Sequence, residues 1–266
     1  MQDRHGRNIH YLRISVTDRC NLRCIYCMSE KGVRLLKHED ILSFEEIASF
    51  TRIAVANGID KVRITGGEPL IRKNIPYLIR LLSGIRGIKD LSLTTNGILL
   101  EEFAMPLKDS GLQRVNISLD TTDPKKYAYI TRGGDYYKVM KGIDAAEKAG
   151  LLPIKINCVV KKSSHEPDAV GVKVFCESRK LIVRFIHEMN LETGEYSVVE
   201  GGTGGNCRLC NKLRLSSDGE LRPCLFSDLS FNIRRLGAES AIRMAVESKP
   251  EFGTRSLLTG FSMIGG

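Results

Sequence analysis

The sequence lacks two features that would mark a membrane or secreted protein, and it also lacks tryptophan, which argues against a long nucleic-acid track. No apolar run among the 266 residues reaches the roughly 18 residues that a membrane-spanning helix requires. The first five residues, MQDRH, are polar and unlike the start of a signal peptide. Hydrophobic residues make up 42% and charged residues 27% of the chain, as expected of a folded protein. These absences exclude a spanning helix and predict a cytoplasmic protein with no membrane partner.

The chain also has too few acidic residues to balance its basic ones. Forty Lys and Arg against 31 Asp and Glu give a net charge of +9. Such a balance favours a polyanionic partner, either a nucleic acid or a nucleoside triphosphate. Because the basic residues are spread along the chain, a local anion pocket is favoured over a long nucleic-acid track.

Short segments rich in Val, Ile and Leu alternate with longer helical stretches through the first two thirds of the chain. Such segments are typical of parallel strands buried on both faces. Six strand–helix units are two fewer than a closed eight-fold barrel contains. We therefore predict an α/β fold, a partial (β/α)6 TIM-like barrel with a small C-terminal extension. The predicted strands are 12–16, 61–65, 91–95, 115–119, 154–160 and 181–186.

The pattern along the chain predicts three regions. Residues 1–189 form the barrel core, 190–206 a flexible glycine-rich connection, and 207–266 a C-terminal extension that contains three further cysteines. Within the extension, Ser217-Asp218-Gly219 separates two short apolar segments and predicts a hairpin.

Six of the eight cysteines fall into two triplets. The first triplet, with the spacing C-x3-C-x2-C, is Cys20, Cys24 and Cys27. The second, with the spacing C-x2-C-x13-C around the predicted hairpin, is Cys207, Cys210 and Cys224. Thiolates at these spacings can hold one metal centre from a single loop. The two remaining cysteines, Cys158 and Cys176, are expected to be core residues.

Zinc and an iron–sulfur cluster are the two candidates for these triplets. A structural zinc ion needs four ligands, and no histidine follows His187 to complete the second triplet. Three thiolates leave one position open, which is typical of a cluster that binds a small molecule. We favour a cluster at the first triplet. A zinc-binding nucleic-acid module is the non-enzymatic alternative.

Unusual polar residues end or follow the predicted strands. They include the first triplet, the segment TGGEP at 65–69, the segment TTNG at 94–97, and Asp120. Parallel βα barrels place their active sites at the carboxyl ends of the strands. The sequence therefore predicts one catalytic site on that face, which a nucleic-acid module would not explain.

The same motifs resemble those of a known family. The first triplet and Gly66-Gly67-Glu68-Pro69 resemble the two signatures of the radical S-adenosylmethionine (radical SAM) superfamily. More specific are LRISVTDRCNLRCIYCM (12–28), KVRITGGEPLIR (61–72), RFIHEM (184–189), CRLCNKLRL (207–215), LRPCLF (221–226) and the terminal Gly265-Gly266. Together they resemble the GTP 3′,8-cyclase family, which catalyses the first step of molybdenum cofactor biosynthesis.

This resemblance implies two 4Fe–4S clusters, one on each triplet, and S-adenosylmethionine as cofactors. Reductive cleavage of S-adenosylmethionine would give a 5′-deoxyadenosyl radical. That radical would abstract the ribose 3′ hydrogen of GTP, and the 3′ carbon would then attack C8 of guanine. The residues implied to contact S-adenosylmethionine are Tyr26, Gly67, Ser118 and Met189.

The resemblance also implies the substrate site and the partners. The residues implied to bind GTP are Arg13, Arg63, Thr94, Lys155, Lys212 and Arg214. Gly265 and Gly266 would enter the active site as catalytic residues. An external electron donor and the cyclic pyranopterin monophosphate synthase of the next step are implied partners, and a homodimer is a further expectation.

Two features depart from the family pattern. Only residues 190–206 connect the sixth strand to the second triplet, where the family usually has a much longer segment. Lys212 stands where the family often has arginine, so the charge is kept but the bidentate fork is lost. The alternative function is therefore a radical SAM enzyme whose auxiliary cluster serves a peptide or another substrate.

Overall fold

The computed structural model describes residues 1–28 and 35–257, and one nine-stranded sheet organises them. Its first six strands lie side by side in chain order, and every neighbouring pair is parallel. The two edge strands of the sheet do not pair with each other, so the barrel is open, as predicted. The six strands are β1 (Tyr11–Ser15), β2 (Lys61–Thr65), β3 (Asp90–Thr95), β4 (Arg114–Ser118), β5 (Lys155–Val160) and β6 (Ile182–His187).

Helices connect these strands. They are α1 (Phe44–Ala56), α2 (Ile75–Ser83), α3 (Leu100–Asp109), α4 (Pro124–Thr131), α5 (Tyr136–Lys148) and α6 (Pro167–Ser178). Both α4 and α5 lie between β4 and β5, and residues 190–206 after β6 contain no α-helix. Within the described ranges, no helix has both the length and the apolar character needed to cross a membrane.

Alternation along each strand separates the core from the site. Leu12 and Ile14 of β1, like Val62 and Ile64 of β2, are completely buried in the main hydrophobic core. Because successive side chains of a strand point to opposite faces, Arg13 and Arg63 lie on the other face of the sheet. The two solitary cysteines, Cys158 and Cys176, are core residues, as predicted.

The C-terminal extension continues the same sheet. Its strands β7 (Lys212–Leu215) and β8 (Glu220–Arg222) form the predicted hairpin, and β9 (Phe231–Asn232), α7 (Ile233–Leu236) and α8 (Ala238–Glu247) follow. The sequence did not predict that β7 pairs in parallel with β1. This pairing places the second cysteine triplet beside the first strand of the barrel.

Candidate active site

One cavity lies at the carboxyl ends of the six parallel strands, and we call it the first cavity. All three cysteines of the first triplet line it. So do the four residues expected to contact S-adenosylmethionine, namely Tyr26, Gly67, Ser118 and Met189. Each of these residues ends a strand or follows one, which is why residues far apart in sequence meet here.

Gly67 packs directly against the backbone that leads into Cys20. Its N–H donates to the carbonyl oxygen of Thr17 at 2.7 Å, and the N–H of Glu68 donates to that of Arg19 at 2.8 Å. A Cβ atom on Gly67 would lie 2.1 Å from the Arg19 carbonyl oxygen. Only glycine therefore fits, because any side chain would force the two loops apart.

Glu68 ties together the loops that follow β2 and β3. Its buried carboxylate accepts hydrogen bonds from Leu70 N at 3.0 Å, Asn96 N at 2.7 Å and Thr95 Oγ1 at 2.8 Å. Burial raises the pKa of Glu68 to about 7, against the opposing effect of these hydrogen bonds. The sequence identified the motif but not this bridging role.

Tyr26 anchors the cysteine loop to the far side of the first cavity. Its hydroxyl donates to Asp120 Oδ2 at 2.7 Å, and Asp120 Oδ1 accepts from Val159 N at 2.8 Å. Burial raises the pKa of Asp120 to about 6. The loop carrying the first triplet is thereby fixed to the ends of β4 and β5.

The first triplet fits a metal cluster by the chemistry of its donors. Burial raises the pKa of Cys24 to about 12 and that of Cys27 to about 11, and it also raises the pKa of Cys20. These thiols therefore stay protonated until a metal displaces the protons. In residues 1–28 and 35–257, no three His, Cys, Asp or Glu side chains are grouped closely enough for a single metal ion, so the first triplet does not form a zinc-type site in this structure.

The second cavity contains the second cysteine triplet and a concentration of cations. Its basic residues are Arg13, Lys61, Arg63, Arg184, Lys212 and Arg214. Three of them form a row across neighbouring strands, because Arg13 of β1 pairs in register with Arg63 of β2 and with Arg214 of β7. The parallel pairing of β1 with β7 creates this row.

The cations of the second cavity are held at an energetic cost. Burial lowers the pKa of Arg13 and of Arg63 to about 10, and neighbouring arginines contribute to both shifts. Burial also lowers the pKa of Lys212 to about 8. Among the described residues, the buried Nε atoms of Arg63 and Arg184 have no hydrogen-bond partner. A bound polyanion would relieve both the repulsion and the missing hydrogen bonds.

Two residues expected to bind GTP lie away from this row. Thr94 lines the first cavity, where its Oγ1 accepts a hydrogen bond from Asn116 Nδ2 at 3.3 Å. Lys155 is not among the described residues that line either cavity. Burial, and then the charge of Arg184, lower the pKa of Lys155 to about 8. Lys155 therefore contributes to the same positive electrostatic potential as the cations of the second cavity.

The two cavities adjoin. Asn157, Ile186 and Met189 line both of them. A molecule in the first cavity and one in the second would both lie against these three residues. The arrangement suits a reaction in which a group activated in one cavity attacks a substrate held in the other.

Residues 190–206 form part of the wall of the second cavity, which the sequence did not predict. Phe185 and Glu200 exchange backbone hydrogen bonds of 3.1 and 3.0 Å, which attach the connection to the edge strand β6. Tyr196 stacks on Phe226 with 4.5 Å between ring centroids, and its hydroxyl lies 3.0 Å from Cys207 Sγ. A glycine-rich segment is typical of a linker, so these contacts could not be predicted from the sequence.

Among the remaining site residues, Lys61 and Arg184 line the second cavity without having been assigned a role from the sequence. Lys61 pairs with Asp90 at 2.8 Å. Gly265 and Gly266, expected to be catalytic, lie outside the described residues.

Comparisons with known proteins identify the family of this chain. Residues 14–166 match the model of the radical SAM superfamily. The chain is 41% identical to the GTP 3′,8-cyclase of Moorella thermoacetica, over 88% of this chain and 86% of that protein. It is 42% identical to the GTP 3′,8-cyclase of Peptoclostridium acidaminophilum, over 87% of this chain and 85% of that protein.

Solved structures share the fold at lower identity. Streptococcus suis SuiB bound to S-adenosylmethionine aligns with a TM-score of 0.65 and 20% identity, over 92% of this chain and 67% of that one. SuiB bound to the precursor peptide SuiA aligns with a TM-score of 0.55 and 21% identity, over 75% of this chain and 43% of that one. With the sequence relatives, these findings show that the chain belongs to the GTP 3′,8-cyclase family of the radical SAM superfamily.

Proposed function

We propose that this chain converts GTP into (8S)-3′,8-cyclo-7,8-dihydroguanosine 5′-triphosphate, the first step of molybdenum cofactor biosynthesis. The observation that carries this proposal is the pair of adjoining cavities. Each cavity contains one cysteine triplet, and the two share the wall formed by Asn157, Ile186 and Met189. The second cavity is rich in cations, as a triphosphate requires.

In the first cavity, Cys20, Cys24 and Cys27 would hold a 4Fe–4S cluster. Together with S-adenosylmethionine, this cluster supplies a 5′-deoxyadenosyl radical when both are bound. Gly67 lets its loop pack against the backbone that leads into Cys20, and the hydrogen bond from Tyr26 to Asp120 holds the cysteine loop in place. Ser118 and Met189 line the remainder of the cofactor site.

In the second cavity, the residues of this chain would bind and orient GTP. Arg13, Arg63 and Arg214 would bind the triphosphate, because charge-assisted hydrogen bonds from arginines suit phosphate oxygens. Lys212 would contribute a point charge, and Thr94 and Lys155 would contact the substrate from the first cavity and from β5. The second triplet, Cys207, Cys210 and Cys224, would hold a second 4Fe–4S cluster that anchors the guanine.

Further partners follow from the chemistry and from the family. Cleavage of S-adenosylmethionine is reductive, so an external electron donor is required. We expect the product to pass to the cyclic pyranopterin monophosphate synthase, and we expect a homodimer in the cytoplasm. Gly265 and Gly266 would complete the surroundings of the substrate.

Three cysteine variants test the division of labour between the cavities. Cys24→Ala should abolish formation of 5′-deoxyadenosine. Cys210→Ala should retain slow, uncoupled formation of 5′-deoxyadenosine but lose the cyclised nucleotide, because the second cavity positions substrate. Cys176→Ala, a core cysteine in α6, is the matched control and should retain both products. Cleavage of S-adenosylmethionine by Cys24→Ala would overturn the assignment.

A further inference from the structure

Lys249 is a buried lysine that follows α8, with only 1% of its surface exposed. Its ammonium donates to the carbonyl oxygen of Lys212 at 2.8 Å and to that of Pro223. No carboxylate among residues 1–28 and 35–257 forms an ion pair with it. A buried ammonium without a negative partner is costly, so its retention requires an explanation.

The two carbonyl groups that bind Lys249 belong to the backbone that carries two of the second-triplet cysteines. Lys212 lies two residues after Cys210, and Pro223 immediately precedes Cys224. The ammonium therefore links β7 to the residue that follows β8, and it interacts electrostatically with the thiols of Cys210 and Cys224. Metal-bound thiolates at Cys210 and Cys224 would supply the negative charge that Lys249 lacks.

Lys249 differs from the cations that face GTP in the proposed function. Arg13, Arg63 and Arg214 line the second cavity, whereas Lys249 is not among its described lining residues. Its donors are directed into the backbone behind the cysteines. A triphosphate in the cavity would therefore not contact Lys249 directly.

Arg7 is a second cation that contacts the extension near Lys249, and its charge is paired differently. It donates to the carbonyl oxygen of Cys207 at 2.8 Å and to those of Pro250 and Glu251 at 2.7 and 3.0 Å. Its charge is paired with Asp3 at 2.6 Å. Both cations thus attach the second triplet to residues 249–251, but only the charge of Lys249 lacks a carboxylate partner among the described residues.

We propose that Lys249 is a positioning residue of the second cluster, which it supplies with a fixed positive charge while holding the backbone of Cys210 and Cys224. This inference rests on the proposed presence of that cluster. Reduction adds an electron to a cluster, and a nearby positive charge stabilises the added charge. Removing the charge should therefore lower the reduction potential of the second cluster.

The test uses the full chain with Cys20, Cys24 and Cys27 replaced by alanine, so that only the second cluster is reconstituted. In this background, Lys249→Gln keeps an N–H donor but loses the charge, and Lys249→Met loses both. Lys138→Gln, on the exposed face of α5, is the matched control. Iron content is measured for each variant, and the midpoint potential is followed by an anaerobic redox titration with electron paramagnetic resonance.

The expected result is a lower midpoint potential for Lys249→Gln with its iron content retained, and an unchanged potential for Lys138→Gln. Loss of iron from Lys249→Met, with an unchanged circular dichroism spectrum, supports the positioning role as well. An unchanged potential in both Lys249 variants overturns this inference but does not affect the proposal that the second triplet holds a cluster. If the triple-alanine protein with Lys249 intact binds no cluster, the proposal of a second cluster is wrong, and this inference is wrong with it.

Discussion

Arg13 and Arg63 occupy paired positions on neighbouring parallel strands, with both side chains directed into the same cavity. Such a pair is unfavourable on its own, because each buried guanidinium is desolvated and repels the other. The pair becomes favourable when a polyanion binds between them. In the second cavity, the same two arginines therefore lower the stability of the ligand-free protein and raise its affinity for an anion.

Replacing Arg63 should separate these two properties. Arg63→Met keeps most of the side-chain volume but removes the charge, so it should weaken GTP binding by about 10- to 100-fold, the range for a lost charged hydrogen bond. The free energy of unfolding without GTP should not fall, because a buried charge has been removed. Calorimetric titration with GTP and thermal unfolding measure the two effects.

The control for this substitution is Arg86→Met, an exposed arginine outside both cavities. It should leave the dissociation constant for GTP unchanged. Equal affinity of Arg63→Met and the unsubstituted protein for GTP would mean that the cation row does not bind the triphosphate.

Gly67→Ala should damage the first cavity with little effect on the second. Its Cβ would meet the Arg19 carbonyl oxygen at 2.1 Å, so the loop before Cys20 must move. A displacement of about 1 Å in a catalytic site can reduce the rate about 100-fold, and we expect a loss of that order in 5′-deoxyadenosine formation. Gly84→Ala is the control, because its Cβ would make only ordinary contacts of 3.6 Å or more. Normal rates for Gly67→Ala would show that the tight packing is not required.

The extension is tied to the barrel by an ion pair whose strength depends on pH. Arg234 donates from Nε and Nη2 to the two carboxylate oxygens of Glu46, at 2.7 and 2.9 Å. These hydrogen bonds lower the pKa of Glu46 from 4.5 to about 2. A lowered pKa stabilises the fold above pH 4.5, and this contribution is lost as the pH falls toward 2.

Arg234→Gln should therefore reduce stability by about 1 kcal/mol near pH 7, because the pair is more than one third exposed and solvent screens it. The difference from the unsubstituted protein should shrink as the pH falls below 4.5. Urea unfolding from pH 7 to pH 3 measures it. Arg235→Gln, whose arginine contacts Glu220 at 3.2 Å and is 76% exposed, is the control and should cost less. A difference that is constant with pH would contradict the role of the Glu46 charge.

The residues of the first cavity could be grouped from the sequence because they follow strands in a repeating pattern. Each parallel strand delivers its last residues to one face, so the positions of Tyr26, Gly67, Ser118 and Met189 followed from the strand assignments and the family motifs. The capping box of Ser43 and Glu46 at the start of α1 is equally local, because its two residues lie three positions apart.

The second cavity depended on contacts that no local pattern contains. The pairing of β7 with β1 joins residues about 200 positions apart, and only this pairing aligns Arg13 with Arg214. Glycines in residues 190–206 predicted a linker, yet the backbone there packs on β6 and places Tyr196 beside Cys207. The burial of Lys249 likewise follows from the tertiary arrangement of the extension and could not be seen in the sequence.

The most direct test of the central claim is the reaction itself. The reconstituted protein is incubated anaerobically with S-adenosylmethionine, a reductant and GTP, and the products are identified by mass spectrometry. We predict 5′-deoxyadenosine together with a nucleotide of the same mass as GTP that elutes separately from it. Formation of 5′-deoxyadenosine without any GTP isomer, from protein that carries both clusters, would contradict the assignment of GTP as the substrate.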